Sequence, residues 1–426
     1  MPLWTTAFFA AMLAAIATLP LVAGHWWERN RNKLLVSVVL SLPVLLFLVA
    51  EGIYSPIGHA AEEYFAFIVL IGSLFIISGG ILVEGDIQAT PLVNSAFLAL
   101  GALLASLMGT TGASMLLIRP LLRTNSERKF TLHTPIFFIF IVSNVGGLLT
   151  PLGDPPLFLG YLRGVPFTWT FGLWQEWLFV SAALLAVYFV LDSRAYAKES
   201  RAALQKDSSQ IQPLRVQGGL NLLWLLGIVL AVAFVNEKYI GDAAHYFTRE
   251  WVMLALAGLS WWLTPKLLRQ KQSFSFGPIT EVAVLFIGIF ITMIPALMLL
   301  EQKGGQLGLT QPWQFFWGAG FLSSFLDNAP TYLTFFSLAQ ASSATLGALY
   351  PAVEMVQGIP SNILASIALG AVFMGSMTYI GNGPNFMVKA IAEENGIKMP
   401  TFGGYIKWSL AVLLPIWVLV TVLFLL

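Results

Sequence analysis

Apolar runs long enough to cross a lipid bilayer follow one another from one end of the chain to the other. A transmembrane helix needs about 20 predominantly apolar residues. Only 10% of the 426 residues are charged, whereas a soluble domain carries about 25%. The sequence therefore predicts an all-α membrane protein with about 10 spanning helices. The predicted spans are 3–24, 34–50, 64–83, 133–158, 174–192, 218–235, 250–264, 279–300, 360–388 and 406–426.

Composition excludes several classes of function. The net charge of +1 argues against a nucleic-acid partner, and membrane lipid is the expected surrounding. The absence of cysteine rules out disulfides, Cys-ligated zinc, iron–sulfur clusters and thiol nucleophiles. The four histidines are scattered, and none pairs at i, i+4 as a metal site would require. No cofactor is expected beyond Na⁺ or H⁺ as coupling ions.

Two apolar segments, 93–123 and 312–341, do not fit as simple spans. Small and polar residues interrupt each one in the middle, with G-T-T-G at 109–112 and D-N-A-P at 327–330. We expect both segments to be re-entrant hairpins, which enter the membrane and leave on the same side.

The basic residues predict the orientation, because Lys and Arg collect on cytoplasmic loops. With the N-terminus outside and both hairpins re-entrant, 18 of the 22 basic residues fall inside and 4 outside. If either hairpin were a single crossing, every later loop would change sides and the basic residues would no longer collect on one side. The first hairpin then opens to the cytoplasm and the second to the outside. The predicted protein is a multi-pass inner-membrane protein with both termini outside.

An internal repeat is the most specific signal in the chain. Residues 147–158 and 375–386 both read G-x-x-T-x-x-G-D/N-x-P-x-F, at an offset of 228 residues (375 − 147) without a gap. Each copy follows a hairpin, and the two hairpins open to opposite sides. We therefore predict two inverted repeats, residues 1–192 and 218–426, joined by a polar cytoplasmic linker at 193–217.

Glycine and proline in these motifs predict two broken helices, within 133–158 and 360–388. Unwound backbone survives in a membrane only where it lines a protein-enclosed cavity, and such breaks at matching positions are the best sequence pointer to a transporter site. Half-helix ends, hydroxyls and amides there can bind ions or a carboxylate. The candidate binding residues are Thr110, Thr111, Ser114, Asn144, Thr150, Gly153, Asp154, Asp327, Asn328, Thr331, Ser376, Thr378, Asn382 and Asn385.

Asp154 and Asp327 stand in apolar surroundings without a nearby residue of opposite charge. Carboxylates at membrane depth usually face a cavity and mark an ion or proton path. We expect both to carry protons and to bind Na⁺ as metal ligands. The alternative is that each caps the N-terminus of a half-helix. Arg119, on the returning arm of the first hairpin, is expected to reach for the cytoplasmic interface rather than face an anion.

Three segments resemble the ion-transporter superfamily, which includes sodium/proton antiporters, citrate carriers, sodium-coupled dicarboxylate carriers and arsenite permeases. They are N-V-G-G-L-L-T-P-L-G-D-P-P at 144–156, G-N-G-P-N at 381–385 and D-N-A-P-T at 327–331. The resemblance implies a homodimer in which a transport domain moves against a scaffold as an elevator. The first hairpin tip, G-T-T-G-A-S at 109–114, departs from both the dicarboxylate-carrier and the antiporter patterns.

The sequence thus leaves two transport functions open. The leading hypothesis is Na⁺/H⁺ antiport, with Asp154 and Asp327 as the titrating ligands, and no enzymatic activity. The alternative is Na⁺- or H⁺-coupled transport of citrate or a similar carboxylate, bound by hairpin-tip amides and hydroxyls. An intramembrane aspartyl protease and a channel fit the sequence less well, since inverted repeats with broken helices suit alternating access.

Overall fold

The structure, a computed structural model, describes residues 1–209 and 211–426. It is 77% helical with almost no sheet, which confirms the predicted all-α membrane fold. Within these described residues, seven helices are long and apolar enough to cross a membrane. The count is eight if Leu220–Phe234 and Glu237–Ala244, which bend by 76° at their junction, form one span.

The α-helices of the described residues are numbered here in chain order. They are α1 (Thr6–Val22), α2 (Gly24–Trp27), α3 (Asn30–Ala50), α4 (Ser55–Ser78), α5 (Pro91–Met108), α6 (Thr110–Thr124), α7 (His133–Ile141), α8 (Pro155–Leu162), α9 (Trp174–Tyr196), α10 (Arg201–Ser209), α11 (Leu220–Phe234), α12 (Glu237–Ile240), α13 (Thr248–Leu263), α14 (Lys266–Lys271), α15 (Gly277–Lys303), α16 (Pro312–Phe325), α17 (Asn328–Ala341), α18 (Ser343–Leu349), α19 (Ser361–Met374), α20 (Gly383–Glu394) and α21 (Phe402–Val420).

Short 3₁₀ turns and four strands complete the chain. The 3₁₀ turns are Leu3–Thr5, Val145–Leu149, Phe167–Leu173, Gly241–Tyr246, Gly304–Leu307 and Gly375–Met377, and a π-turn covers Thr421–Leu425. The strands are β1 (Leu82–Asp86), β2 (Gln212–Gln217), β3 (Met355–Val356) and β4 (Ile359–Pro360), paired as β1–β2 and β3–β4.

The predicted hairpins and breaks correspond to pairs of shorter helices. α5 and α6 pack together and join at Gly109, whose φ of 81° suits glycine, and α16 and α17 form the second hairpin. α7 with α8 and α19 with α20 are the two broken helices. α5 is long enough to cross a membrane, but it is an arm of the first hairpin and is therefore not counted as a crossing. The ten predicted crossings correspond to the two broken helices and to α1, α3, α4, α9, α11, α13, α15 and α21.

α4 and α15 lie side by side at the centre of the protein. The rings of Phe67 and Phe286 stack with centroids 4.7 Å apart, and the Tyr64 hydroxyl donates to the Ala283 carbonyl at 2.9 Å. α4 also packs against α11 and α13, whereas α15 packs against α1 and α3. Each central helix therefore contacts the two helices that open the other half of the chain.

The predicted linker at 193–217 contains regular structure on both sides of residue 210. It contains α10, and its strand β2 pairs antiparallel with β1, which follows α4. The Asp207 carboxylate accepts a hydrogen bond from the Ala89 N–H at 3.1 Å. The strand was not predicted, because its partner lies more than 100 residues earlier in the chain.

Candidate ion and substrate site

The first broken helix stops at the 3₁₀ turn Val145–Leu149 and resumes at α8. Between them the chain folds back so closely that a Cβ on Gly153 would collide with the Gly147 carbonyl oxygen. Only glycine fits there, which explains why the motif carries this residue. The C-terminal end of the turn and the start of α8 are thereby brought close together.

The second broken helix repeats this geometry. Thr150 and Thr378 have φ/ψ of −139°/157° and −137°/167°. Asp154 and Asn382, which precede α8 and α20, have φ/ψ of −144°/142° and −153°/140°. A Cβ on Gly381 would likewise collide with the carbonyl of the glycine six residues before it. The two copies of the sequence motif are thus two copies of one backbone conformation.

The motif threonines attach each break to a hairpin. The Thr150 hydroxyl donates to the Ser106 carbonyl on α5, and the Thr378 hydroxyl donates to the Ser324 carbonyl on α16 at 2.5 Å. Each of these hydroxyls also accepts from a backbone N–H two residues further along, at 3.1 Å and 3.3 Å. These bonds satisfy unwound backbone that would otherwise be costly at membrane depth.

Three side chains donate hydrogen bonds to the carboxylate of Asp154, which is only 1% exposed. The Thr110 hydroxyl donates to Oδ1 at 3.0 Å, and the Asn382 amide donates to the same oxygen at 3.2 Å. The Asn328 amide donates to Oδ2. All three donors are neutral and at most 4% exposed, so the carboxylate is enclosed without a compensating charge. We call these four residues the Asp154 cluster.

The four members of the Asp154 cluster mark the starts of four helices. Thr110 and Asn328 are the first residues of α6 and α17, and Asp154 and Asn382 immediately precede α8 and α20. A helix N-terminus carries unpaired N–H groups and a partial positive charge. Four such ends at one place form an environment that stabilises negative charge.

A layer of amides and hydroxyls supports the cluster. The Asn144 amide donates to Oδ1 of Asn385 at 2.7 Å, and the Asn385 amide donates to the Gly375 and Thr378 carbonyls at 2.8 Å and 2.9 Å. The Asn382 amide also donates to the Ser143 carbonyl at 3.1 Å. The Asn144–Asn385 and Asn382–Ser143 bonds run directly between the two broken helices, whereas the Asn385 amide satisfies carbonyls within the second break.

Comparison with known proteins identifies the family of this chain. A family model described as "Putative citrate transport" matches residues 1–425. The chain belongs to this citrate-transport family. The match agrees with the citrate-carrier branch of the ion-transporter superfamily, and it favours a multi-pass membrane transporter over an enzyme. A search of curated proteins found no match.

In this member of the citrate-transport family, Asp154 forms no ion pair among the side chains that the structure describes. Within residues 1–209, 211–244 and 246–426, no Lys, Arg or His side chain lies within ion-pair distance of its carboxylate. Arg119 instead lies 3.9 Å from Glu394 at the end of α20, and Lys389 pairs with Glu393 at 2.8 Å. The negative charge therefore depends on helix ends, hydrogen bonds or a bound cation.

One acceptor in the Asp154 cluster is unpaired. The Oδ1 atom of Asn328 is fully buried and has no hydrogen-bond donor among the described residues. A buried polar atom without a partner costs about 1–3 kcal/mol. Asn328 thus donates to Asp154 through its amide nitrogen and keeps an unused acceptor on its amide oxygen.

The second predicted carboxylate, Asp327, lies outside the hydrogen bonds of the cluster. Its Oδ1 accepts from the Ala329 N–H at 3.1 Å and so caps the start of α17. Asp154 also precedes a helix, but its side chain makes no capping bond. The structure thus assigns the capping role to Asp327 and leaves Asp154 facing the cluster. Among the described residues no group of three or more His, Asp or Glu converges on a metal position.

The remaining predicted residues divide between the edge of the site and its supports. Thr111 lines the cavity beside Asp154, and the Gly153 carbonyl accepts from the Thr110 N–H at 2.8 Å. Ser114 shares a hydrogen bond of 2.8 Å with Ser143. Thr331 bonds the Asp327 carbonyl at 3.0 Å, and Ser376 bonds the Phe373 carbonyl, so neither contacts the cluster.

Sequence reasoning missed Ser106, Ser143 and Ser324, which anchor the two breaks. Aligning the two halves of the chain at a second offset, 218 residues (324 − 106), would have found two of them, because this offset pairs Ser106 with Ser324. The same offset pairs Thr110 with Asn328. The hairpins therefore repeat as the breaks do, with ten more residues between hairpin and break in the second half (228 − 218).

A cavity of about 40 Å³ lies beside Asp154, between α4 and the first hairpin tip. Its lining includes Leu70, Leu74, Thr110 and Pro151. A single water occupies about 30 Å³ of the liquid, so this space suits an ion or a water and is too small for citrate. The observed conformation encloses the Asp154 cluster.

Proposed function

We propose that this protein is a secondary transporter of citrate or a similar carboxylate, driven by Na⁺ or H⁺, and that Asp154 binds the coupling cation. The observation that carries the proposal is the meeting of four helix N-termini at one buried carboxylate that forms no ion pair among the described side chains. Helix N-termini favour anions, and membership of the citrate-transport family favours a carboxylate.

The charge of Asp154 explains how cation and substrate would be coupled. With Asp154 ionised and no cation bound, an approaching carboxylate meets a like charge in a poorly screened place. Binding of Na⁺ or H⁺ removes that charge and leaves the four helix ends available to the substrate. The cation then binds first, and the substrate binds well only afterwards.

The substrate contacts under this proposal are neutral groups. The amides of Asn328 and Asn382 and the Thr110 hydroxyl are the side-chain donors. The partial positive charges at the starts of α6, α8, α17 and α20 add to their attraction for an anion. Asp327 caps α17 and is assigned no proton-carrying role.

Na⁺/H⁺ antiport is the second candidate. The unpaired Oδ1 of Asn328 and the ion-sized cavity beside Asp154 favour a cation site. In that mechanism Asp154 exchanges a proton for Na⁺, and no carboxylate substrate is transported. The two candidates share the cation and differ in whether citrate moves.

The proposal includes movement of the hairpins and broken helices against a scaffold that contains α4 and α15. One contact that such an elevator movement must break joins Arg163, which directly follows α8, to Glu63 on α4 at 3.1 Å. The two inverted repeats, an inner-membrane location with both termini outside, surrounding lipid and a homodimer remain parts of the proposal.

Uptake of radiolabelled citrate into proteoliposomes tests the function. The purified protein is reconstituted, and uptake is compared under an inward Na⁺ gradient, an inward proton gradient and no gradient. Accumulation under one of the gradients, and none in its absence, is the expected result. Movement of protons on addition of Na⁺ alone, without citrate uptake, would favour the antiporter.

Two matched substitutions sharpen this experiment. Asp154→Asn removes the proposed coupling charge, whereas Asp327→Asn keeps a side-chain oxygen that can cap α17. We expect the first to abolish gradient-driven accumulation and the second to retain it. Equal loss in both variants would support the hypothesis that both carboxylates carry cations.

A further inference from the structure

A second cavity, far larger than the one beside Asp154, lies at the open end of the first hairpin. Its volume is about 620 Å³, and it is enclosed by residues 122–132 and by the loop 395–398 that follows α20. Its lining includes the four cations Arg123, Arg128, Lys129 and Lys398, and no acidic residue. We call it the basic cavity.

Three of these four cations form no ion pair among the described residues. Arg128 is buried and pairs with Asp192 at 2.6 Å, with Glu199 3.9 Å from its Nε. Within the described part of the chain, Arg123, Lys129 and Lys398 have no carboxylate within 4 Å. Like charges around one space repel one another unless an anion lies between them.

Arg128 also leaves a donor free. Its Nε atom is buried and has no hydrogen-bond partner among the described residues, although the remaining guanidinium nitrogens bond Asp192, Asn125 and the Ala89 carbonyl. A buried, unpaired guanidinium N–H costs free energy unless a ligand accepts from it. The unpaired donor and the three cations without an ion pair both indicate an anionic ligand.

The length of α6 sets the distance of the basic cavity from the Asp154 cluster. Arg123 lies 13 residues after Thr110 along α6, a rise of about 20 Å at about 1.5 Å per residue. The hydrocarbon core extends about 15 Å on each side of the midplane. If the Asp154 cluster lies near the midplane, the basic cavity lies beside the phosphates of the lipids.

Apolar side chains border the cavity as well. Leu132, in the cavity wall, is 36% exposed, and Phe130, between two lining residues, is 41% exposed. A free anion gains nothing from these side chains. A phospholipid can place its phosphate among the cations and an acyl chain along Phe130 and Leu132.

We propose that the basic cavity binds the phosphate headgroup of an anionic phospholipid. Basic pockets between transmembrane helices on the cytoplasmic side are suited to such headgroups. The bound lipid would tie the open end of the first hairpin to the loop after α20. The site is separate from the Asp154 cluster, and its occupancy can be measured without transport.

Lipid retention by the purified full-length protein tests the proposal. Native mass spectrometry and thermal unfolding are recorded with cardiolipin, phosphatidylglycerol and phosphatidylcholine in detergent. The triple substitution Arg123→Gln, Lys129→Gln and Lys398→Gln removes the three cations without an ion pair. The control triple, Lys198→Gln, Arg201→Gln and Lys266→Gln, removes three exposed cations that do not line the cavity.

We expect the anionic lipids to bind the unmodified protein and the control triple alike, and the cavity triple to bind them about a hundredfold more weakly. Equal unfolding temperatures of both triples in phosphatidylcholine would show that the cavity triple is folded. Equal retention of anionic lipid by both triples, or no preference of the unmodified protein for anionic over zwitterionic lipid, would overturn the proposal.

Soluble anions and the apolar border distinguish the source of the phosphate. Inorganic phosphate and citrate are added as competitors, and Phe130→Ser with Leu132→Ser is made as a rim variant. A headgroup site predicts weak competition and reduced lipid retention in the rim variant. Stabilisation by inorganic phosphate equal to that by lipid, with no effect of the rim variant, would show a soluble-anion site instead.

Discussion

The Asp154 carboxylate accepts a hydrogen bond of 3.2 Å from the Asn382 amide, the residue 228 positions further along the chain that occupies the same place in the second broken helix. The two positions have the same backbone conformation and differ by one functional group. One half of the internal repeat thus supplies the charge, and the other half supplies a neutral donor to it. This asymmetry places one carboxylate, and not two, between the two broken helices.

The exchange of these two groups is the first prediction. Asp154→Asn alone should abolish gradient-driven citrate uptake, because the cation loses its carboxylate. Asp154→Asn combined with Asn382→Asp returns a carboxylate to the cluster, and gradient-driven uptake should become measurable again, since contacting residues couple strongly. Uptake is measured in proteoliposomes, with expression and unfolding temperature as controls. A double variant no better than the single one would contradict the proposed equivalence.

The unpaired oxygen of Asn328 leads to the second prediction. Asn328→Ala removes a buried acceptor beside Asp154, so the Na⁺ concentration for half-maximal uptake should rise about tenfold, as expected for loss of one buried polar contact. Thr334→Val is the matched control on the same helix, because the Thr334 hydroxyl bonds only the Pro330 carbonyl, at 2.8 Å. An unchanged Na⁺ dependence in Asn328→Ala would exclude this side chain from the cation site.

Glycine at the two breaks gives the third prediction. Gly153→Ala and Gly381→Ala force a methyl group against a backbone carbonyl, and each should lower the free energy of unfolding by about 1–3 kcal/mol and reduce uptake. Gly383→Ala is the control, because a Cβ there meets no atom within 4 Å. Thermal unfolding in detergent measures the effect. Equal stability of all three variants would show that the breaks tolerate a side chain.

Membrane orientation provides the fourth prediction, and the absence of native cysteine makes it directly measurable. Single cysteines are introduced by Ser200→Cys in the linker and Gln306→Cys between α15 and the second hairpin, both at exposed positions. A membrane-impermeant maleimide should label Gln306→Cys in intact cells and Ser200→Cys only after the membrane is opened. The opposite pattern would reverse the predicted topology.

The sequence predicted the hairpins and broken helices that form the site, but it did not predict which of their side chains contact one another. The repeat at 147–158 and 375–386 located both breaks, because glycine and proline act on the local backbone. It did not predict that Thr110 and Asn328 would meet on one carboxylate, since Asn328 and Asp154 are 174 residues apart and spacing along the chain carries no such distance.

The two aspartates differ for a similar reason. Their sequence surroundings look alike, but Asp327 uses its carboxylate to cap α17, whereas Asp154 makes no capping bond at α8. Both precede a helix, a position that Asp favours, so the sequence alone left both roles open. Packing decides between them, because the tips of both hairpins approach Asp154 and present donors to it.

The central claim is that the charge of Asp154 makes citrate binding depend on a cation. Isothermal titration of citrate into the purified protein, across a range of Na⁺ concentration and pH, tests it directly in the unmodified protein and in Asp154→Asn. We predict that Na⁺ or H⁺ strengthens citrate binding to the unmodified protein, and that Asp154→Asn binds citrate with an affinity independent of both. Equal cation dependence of citrate binding in the two proteins would contradict the proposed role of Asp154. Citrate binding to the unmodified protein that is independent of both Na⁺ and pH would contradict it as well.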